Sequence, residues 1–454
     1  MPPTNHLTRR RFLAQASTAS ASVLATPHFG WSSTASGNAP SHDLRIAAFG
    51  AGGRAWGNIS SMSDVQDVTL DAVAEVDSER LDKVSKTFPK TTIYSDWRQL
   101  LDKEAKNLDA VLVATPDHMH APISMAAMQL GLHVYCEKPL TRTVHEARAL
   151  RNAAAEYQLV SQMGNQLASN SANRTPIRLL QERCIGDVVS VHSTNPKTWG
   201  RMTPLPKGSD PVPKPLDWDL WLGVGKKRPF VKNEFHPSHW RKRIGFGTGT
   251  LGDMGCHLFH PWFHGLGLTA PTQVISLGEG PVDRDSWPTN CKVQYTFAGN
   301  DITGKKPFTA TWYDGSQTIP PDVTDAVGGR SKLPSSGTIV LGTEGALLIP
   351  HGGAARYGLF RDGIFSTDPI ERDPDLNHYG VFARAIREGG DPPLSNFERS
   401  GPLTETVLLG TIAIRLPGQT LAWDPTTLSF PNSKAATDLV KDHPYRKGWQ
   451  IQGL

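Results

Sequence analysis

Leu44-Arg45-Ile46-Ala47-Ala48-Phe49-Gly50-Ala51-Gly52-Gly53-Arg54-Ala55 is the stretch that decides the fold. A short apolar run ends in glycines and passes into a helical segment, about Arg54 to Met62, the strand–turn–helix order of a phosphate-cradling unit. The turn fits G-x-G-x-x-G/A. Gly50 permits a tight turn, Gly52 lets the backbone approach a pyrophosphate, and Ala55 keeps the helix close to the sheet. Gly53 and Arg54 open the helix whose N–H groups and dipole favour an anion. The next apolar run, Leu70 to Glu75, places the Glu75 carboxylate 25 positions past Gly50, where dinucleotide ribose hydroxyls are expected. A carboxylate there repels a 2′-phosphate, so NAD is expected, with NADP as the alternative. Asp77 is a second candidate for the ribose, although it reads better as the cap of a helix starting near Ser78.

The pattern continues outward. Asp109-Ala110-Val111-Leu112-Val113-Ala114 is a continuous apolar run, the signature of a strand covered on both faces. A helix near Ala121–Leu130, a strand His133–Cys136, a helix Val144–Glu156 and a strand Leu159–Met163 follow. This alternation predicts a doubly wound parallel sheet, a Rossmann domain over 41–164. Beyond it, a short helix near Thr175–Arg183 leads to a strand at Val188–Ser193. An irregular Pro/Lys/Trp-rich stretch, Pro196 to Pro237, is expected to be functional because long structureless segments in compact domains usually are. The runs Gln273–Leu277, Cys291–Phe297, Phe308–Tyr313, Gly337–Leu341 and Ala346–Ile349 predict a large, mainly antiparallel sheet. With helices near Asn377–Glu388 and Arg399–Arg415 on one face, they make an α+β domain over 165–430, expected to carry substrate binding and oligomerisation. Residues 431–454 read as a tail.

The chain has 454 residues, 38% hydrophobic and 20% charged, a globular composition with room for two domains. Its formal charge is +4, of which Arg9, Arg10 and Arg11 supply three, leaving about +1 on the body. That excludes an electrostatic footprint for nucleic acid. Thr8-Arg9-Arg10-Arg11-Phe12-Leu13 and the Ala/Ser-rich run to Ala25 resemble a bacterial twin-arginine export signal, followed by a tether to about residue 40. The run is too short and polar for a stable membrane span. A periplasmic or otherwise exported protein, delivered folded by the twin-arginine machinery, is the expectation. The four cysteines show no metal spacing and read as isolated apolar fillers.

Chemistry gathers at two places. Glu137-Lys138-Pro139 follows the strand His133–Cys136, so Lys138 faces the crevice at the carboxyl end of a parallel strand. A lysine there donates a hydrogen bond to a substrate hydroxyl oxygen and favours its developing charge. Asp253 and His257 lie four apart on a helix beginning after Gly249 and therefore share a face. An imidazole takes a hydroxyl proton as hydride leaves the carbon. Asp253 orients that ring or binds the substrate. His260 and His264 extend the face and imitate a metal cluster, but no partner carboxylate is evident in the helix and no metal is expected. His118, His120, Asn165 and Gln166 are candidates near the crevice. Trp199, Trp218, Trp221, His239, Trp240 and Arg241 fall in or beside the irregular stretch, and one or two of these tryptophans are expected to stack on a sugar ring.

Together the glycine turn, Thr115-Pro116-Asp117-His118-Met119-His120, Glu137-Lys138-Pro139, Trp218-Asp219-Leu220-Trp221-Leu222-Gly223, Asp253-Met254-Gly255-Cys256-His257 and Leu421-Ala422-Trp423-Asp424 resemble the Gfo/Idh/MocA oxidoreductases. The likeness runs from Leu44 to Asp424. It implies Lys138 as electrostatic partner, His257 as acid/base and Asp253 as positioning group in hydride transfer between a nicotinamide and a CH–OH group of a sugar, glycoside or cyclitol. It also implies cofactor contacts from Thr115, Pro116, His120, Glu137 and Lys138, and substrate contacts from His118, Asn165, Gln166, Trp240 and Arg241. A tightly held, internally recycled cofactor and a homo-oligomer are further implications. Two other readings compete: an NAD-dependent glycoside hydrolase, whose branch tends to lack the lysine of Glu-Lys-Pro, and a non-catalytic cofactor-retaining binder.

Overall fold

The computed structural model describes residues 43–330, 333–352, 358–361, 364–366, 370–442 and 444–454. The export signal and tether read at residues 1–40 lie outside them. From its start the chain alternates strand and helix: β1 (Leu44–Phe49), α1 (Arg54–Ser63), β2 (Val68–Ala74), α2 (Ser78–Thr87), β3 (Thr92–Tyr94), α3 (Trp97–Glu104), β4 (Ala110–Val113), α4 (His120–Gln129), β5 (His133–Glu137), α5 (Val144–Glu156) and β6 (Ser161–Gly164). The strands form one sheet in the order β3-β2-β1-β4-β5-β6, every pair parallel. All four residues of β4 are buried, because helices cover both faces. The order reverses between β1 and β4, which opens a crevice beyond their carboxyl ends.

The second part continues with α6 (Ser171–Gln181), β7 (Val188–Asn195), α7 (Trp218–Leu222), α8 (Gly249–Gly265), β8 (Gln273–Ser276), β9 (Lys292–Phe297), β10 (Phe308–Asp314), α9 (Pro321–Asp325), β11 (Gly337–Gly342), β12 (Gly345–Pro350), β13 (Gly358–Arg361) and β14 (Ile364–Ser366). The chain closes with α10 (His378–Glu388), α11 (Phe397–Arg415), β15 (Leu421–Ala422) and α12 (Lys434–Lys441). The sheet order is β14-β13-β12-β11-β7-β10-β9-β8-β15. It is antiparallel except where β7 meets β10. Alternation along β9, with Val293, Tyr295 and Phe297 inward, buries one face of this sheet.

Two closing segments depart from the expected layout. Helix α10 covers the first sheet, not the second. Tyr379 stacks on Tyr135 with ring centroids 5.5 Å apart, its hydroxyl donates to Asn58 Oδ1 at 2.9 Å, and Phe382 shares a core with Leu44 and Ile46. An amphipathic pattern says that a helix has a buried face but not which sheet receives it. The segment read as a tail is also folded: Tyr445 donates to Glu146 Oε1 at 2.6 Å, and Asp442 accepts from Arg142 at 2.5 Å and Arg415 at 3.1 Å. Helix α11, buried nearly throughout, packs on both α5 and α8, and Arg148 grips its Glu405 with two bonds of 2.7 Å. The two sheets are thereby clamped around the crevice. All four cysteines are free, and Cys136, Cys256 and Cys291 are buried. Among the described residues no helix is long and apolar enough to cross a membrane.

Candidate active site

A cleft of about 790 Å³ runs from the glycine turn to the start of α8. At one end Gly50 has φ +93°, and a Cβ there would lie 2.8 Å from the Ala114 carbonyl oxygen, so only glycine lets β1 turn this close to β4. Helix α1 begins at Gly53 without a side-chain cap and without an acid in its first turn, which leaves its N–H groups directed at the cleft for an anion. Glu75 follows β2 and is fixed from behind: Oε2 accepts from the Ala51 N–H at 2.8 Å and Oε1 from the Asp77 N–H at 3.0 Å. Asp77 caps α2 and also accepts from Arg80 at 3.0 Å. Gly52 leaves room for Arg80, since a Cβ there would meet its guanidinium at 1.9 Å. Thr115 faces the cleft with a buried hydroxyl that has no partner among the described residues.

These features fit a dinucleotide. Gly50, Gly52, Gly53 and Arg54 would receive its pyrophosphate, Glu75 its ribose, and Thr115 and Pro116 the side toward β5. Ala55 is buried behind the turn rather than facing the cleft. His120 faces the cleft, and its ring nitrogens lie 2.8 Å from the carbonyl oxygens of Thr115 and Pro139. It joins the turns after β4 and β5.

At the other end the side chains converge on Asp253. Lys138 Nζ donates to Asp253 Oδ1 at 2.8 Å and to its carbonyl at 2.7 Å. Lys197 and the Trp199 indole donate to Oδ2 at 3.1 and 2.9 Å, and Arg241 Nε donates to Oδ1 at 3.2 Å. Burial opposes ionisation of Asp253, but Lys138, Arg241 and Lys197 together hold its carboxyl well below the usual range. Glu137, part of the same motif, also lines the cleft, with its carboxylate held by neutral amides. Its Oε1 accepts from Asn58 at 2.9 Å and Gln166 at 2.7 Å, in space that Gly164 leaves free. Asp117 is buried beside the cleft and accepts from the Thr248 hydroxyl at 2.8 Å. Burial pushes it up to about 7, against the pull of Arg241 and that bond.

His257 is oriented by Asn165, not by Asp253. Asn165 Nδ2 donates to the Cys256 carbonyl at 3.0 Å, which aims its Oδ1 at His257 Nδ1, 2.6 Å away. The network therefore places the proton on Nδ1 and leaves the Nε2 lone pair unprotonated. Burial, with Lys138 and His351 nearby, depresses this imidazole well below its ordinary value. The ring of His351, just past β12, lies 5.2 Å from that of His257.

Three expected substrate contacts stand elsewhere. His118 is buried between Trp221 and Phe246, with Nε2 3.2 Å from the Trp221 carbonyl, and burial lowers it to about 3. The short helical turn at Asp117–Met119 rotates it away from the face that His120 presents. Asn165 and Gln166 sit behind the cleft, holding His257 and Glu137. Trp240 and Arg241 do face it, as do Trp199 and Trp221. Trp218 stacks on Trp221 and donates to the Arg228 carbonyl, and His239 is outside the cleft lining. His260 and His264 lie farther along α8, their rings 4.6 Å apart, away from the cleft. Lys197, His351 and Arg80 escaped sequence reasoning; only Lys197, one residue past the start of the irregular stretch, had a signal nearby.

Residues 44–165 match the oxidoreductase family's NAD-binding Rossmann fold, and residues 194–303 match its C-terminal alpha/beta domain. The chain belongs to the Gfo/Idh/MocA oxidoreductases. Within the family it is 28% identical over 186 residues to levoglucosan dehydrogenase of Pseudarthrobacter phenanthrenivorans, covering 41% of this chain and 40% of that protein. It is 28% identical over 130 residues to glycosyl hydrolase family 109 protein 1 of Shewanella sp. (strain MR-4), covering 26% of this chain and 28% of that one. The matches thus span well under half the length of these curated relatives. The WlbA dehydrogenase of Bordetella pertussis, solved with NADH and UDP-GlcNAcA, shares the fold with a TM-score of 0.60 at 15% identity, over 84% of this chain and 99% of that one. In this cleft α8, which carries Asp253 and His257, belongs to the second part of the chain, and Lys138 follows β5 of the first.

Proposed function

We propose that the protein is a dehydrogenase that moves hydride between a bound nicotinamide and a CH–OH group of a sugar, glycoside or cyclitol. The observation that carries this is the single cleft joining a dinucleotide turn to Lys138, Asp253 and His257. A nicotinamide held here would supply the acceptor or donor of hydride for the substrate carbon. His257 Nε2, neutral and free, accepts the hydroxyl proton. Lys138, anchored by Asp253, donates to the same oxygen and favours its negative charge. Asp253 keeps the lysine in place and, through the Trp199 indole, fixes one wall. Trp199, Trp221 and Trp240 provide apolar surface for a sugar ring. Glu75 supports NAD over NADP, because the nearby Arg80 is already paired with Asp77.

The twin arginines at Arg9 and Arg10 support export of a folded, cofactor-loaded enzyme to the periplasm. With little free dinucleotide there, retention of the cofactor, its recycling between two substrates and a homo-oligomeric assembly are parts of the same proposal. The test is a near-UV spectrum of the purified protein, with and without sugars and glycosides and with no cofactor supplied. A reduced-nicotinamide band appearing with one sugar is the expected result. Cleavage of a glycoside without such a band would transfer the assignment to the hydrolase chemistry named for the Shewanella relative. Neither response, even with NAD added, would remove Lys138 and His257 from a catalytic role.

A further inference from the structure

The substrate end of the cleft carries more positive charge than its own carboxylates balance. Lys138, Lys197 and Arg241 all contact Asp253. The neighbouring acids do not make up the difference: Glu137 adds a single carboxylate, held by the neutral amides of Asn58 and Gln166, and Asp117 is fully buried, where desolvation opposes its ionisation. His257 and His351 are pushed toward their neutral forms and add no positive charge of their own.

Arg241 also has unused capacity. Its Nε donates to Asp253, and among the described residues its two terminal amines have no hydrogen-bond acceptor. The guanidinium lies over the Trp240 ring, its Cζ 4.2 Å from the ring centre, with the Trp199 ring at 5.5 Å. A planar fork fixed beside aromatic walls matches a carboxylate through two parallel hydrogen bonds. Lys197 stands on the other side of Asp253, its side chain half exposed to the cleft. Its ammonium has three donors, of which one meets Asp253 Oδ2 and another the weak acceptor Met254 Sδ.

Resting on the dehydrogenase reading, we propose that the substrate is an acidic sugar whose carboxylate is bound by Arg241 and Lys197 while its reacting hydroxyl meets Lys138 and His257. The carboxylate neutralises the surplus charge, and the tryptophans take the ring. The cofactor's pyrophosphate does not serve this purpose, because its anion site is the α1 N-terminus at the opposite end of the cleft.

The experiment measures binding and turnover separately, on protein loaded with NADH for calorimetry and with NAD for turnover. The probes are glucuronate and galacturonate, their methyl esters, glucose, galactose and glucose 6-phosphate. At least one uronate is expected to bind about 10- to 100-fold more tightly than its ester and its neutral parent, the range of a charge-assisted contact. The same preference is expected in kcat/KM, and Arg241→Met and Lys197→Met should each bring the ratio toward one. Equal binding of acid and ester overturns the proposal, as does a preference for the phosphate. Turnover of neutral sugars as efficient as that of the uronates overturns it while leaving the dehydrogenase reading intact. Acid-selective binding without turnover of any probe supports the carboxylate site and removes the hydride-transfer reading.

Discussion

The two ends of the cleft are built in opposite ways. The dinucleotide end is mostly backbone from one continuous stretch, Phe49 to Arg80, joined by the turn after β4. Its demands are steric: a positive φ at Gly50, no Cβ at Gly52 and an uncapped helix start at Gly53. The substrate end is made of side chains from distant segments, with Lys138 after β5, Lys197 and Trp199 after β7, Arg241 before α8, Asp253 and His257 within it, and His351 after β12. Its demands are electrostatic, and three of its cations share the carboxylate of Asp253. A backbone-built site fails through strain, whereas a side-chain-built site fails through loss of charge and orientation.

The sharpest way to break this contrast is His257→Leu. It should lower kcat by about 10³-fold, the scale of a positioned base, while the dissociation constant for NADH changes less than about twofold. Stopped-flow turnover and calorimetry of cofactor binding check it. A parallel collapse of cofactor affinity would mean that the two ends are one site. Next in size is Gly50→Val, which strikes the other end. The strained φ and a Cβ 2.8 Å from a backbone oxygen should cost about 2–3 kcal/mol of stability and weaken NADH binding. Thermal unfolding with and without NADH reads both effects. Unchanged melting would show that the turn relaxes, and that its glycine is not there for steric reasons.

The same contrast explains how much of the molecule is legible in its sequence. The Rossmann half was readable because its signals are local: apolar runs such as Ala110–Val113, glycines at fixed offsets, and an acid one strand later. Lys138, Asp253 and His257 were readable because each sits in a short motif, and the i, i+4 spacing on α8 held. What orients them was not. Asn165 holds His257 across 92 positions, and Lys197 reaches Asp253 across 56. His351 approaches His257 only because β11 and β12 form a hairpin, whose register fixes where the following residue stands. His118 failed as a cleft residue because it and His120 both follow β4, and only the short turn at Asp117–Met119 decides which one faces outward. The placement of α10 on the first sheet rests on Tyr135 and Asn58, more than 240 positions upstream, a pairing that no local pattern encodes.

A smaller effect tests orientation alone. Asn165→Leu should reduce kcat about 10- to 100-fold with little change in KM, because the ring then loses the bond that selects its tautomer. In the wild type, burial, Lys138 and His351 depress His257, so the acid limb of sugar oxidation should lie well below the ordinary histidine range. Asn165→Asp would place a carboxylate against Nδ1 and favour the imidazolium. Its acid limb should therefore move up toward neutrality. A pH–rate profile unmoved by Asn165→Asp would mean that His257 is not the base being titrated.

The smallest expected effect concerns Asp117, which follows the cofactor-side turn at Pro116 and bonds to Thr248, the residue that precedes α8. It connects the two ends, and its burial has a measurable cost. The folded protein keeps the Asp117 proton up to about 7, whereas an exposed aspartate releases it near 3.8. Between those values the folded state binds more protons than the unfolded chain, so this group makes stability fall as pH rises through the window and level off above it. The slope amounts to about 1 kcal/mol between roughly pH 6 and 7. Asp117→Asn keeps a polar partner for the Thr248 hydroxyl and removes the titration. Its urea stability relative to wild type should therefore improve by about that amount across the same interval. A constant difference at all pH values would show that Asp117 is ionised in the fold, its charge compensated by Arg241 and Lys138, and would extend the shared electrostatics of the substrate end as far as the cofactor turn.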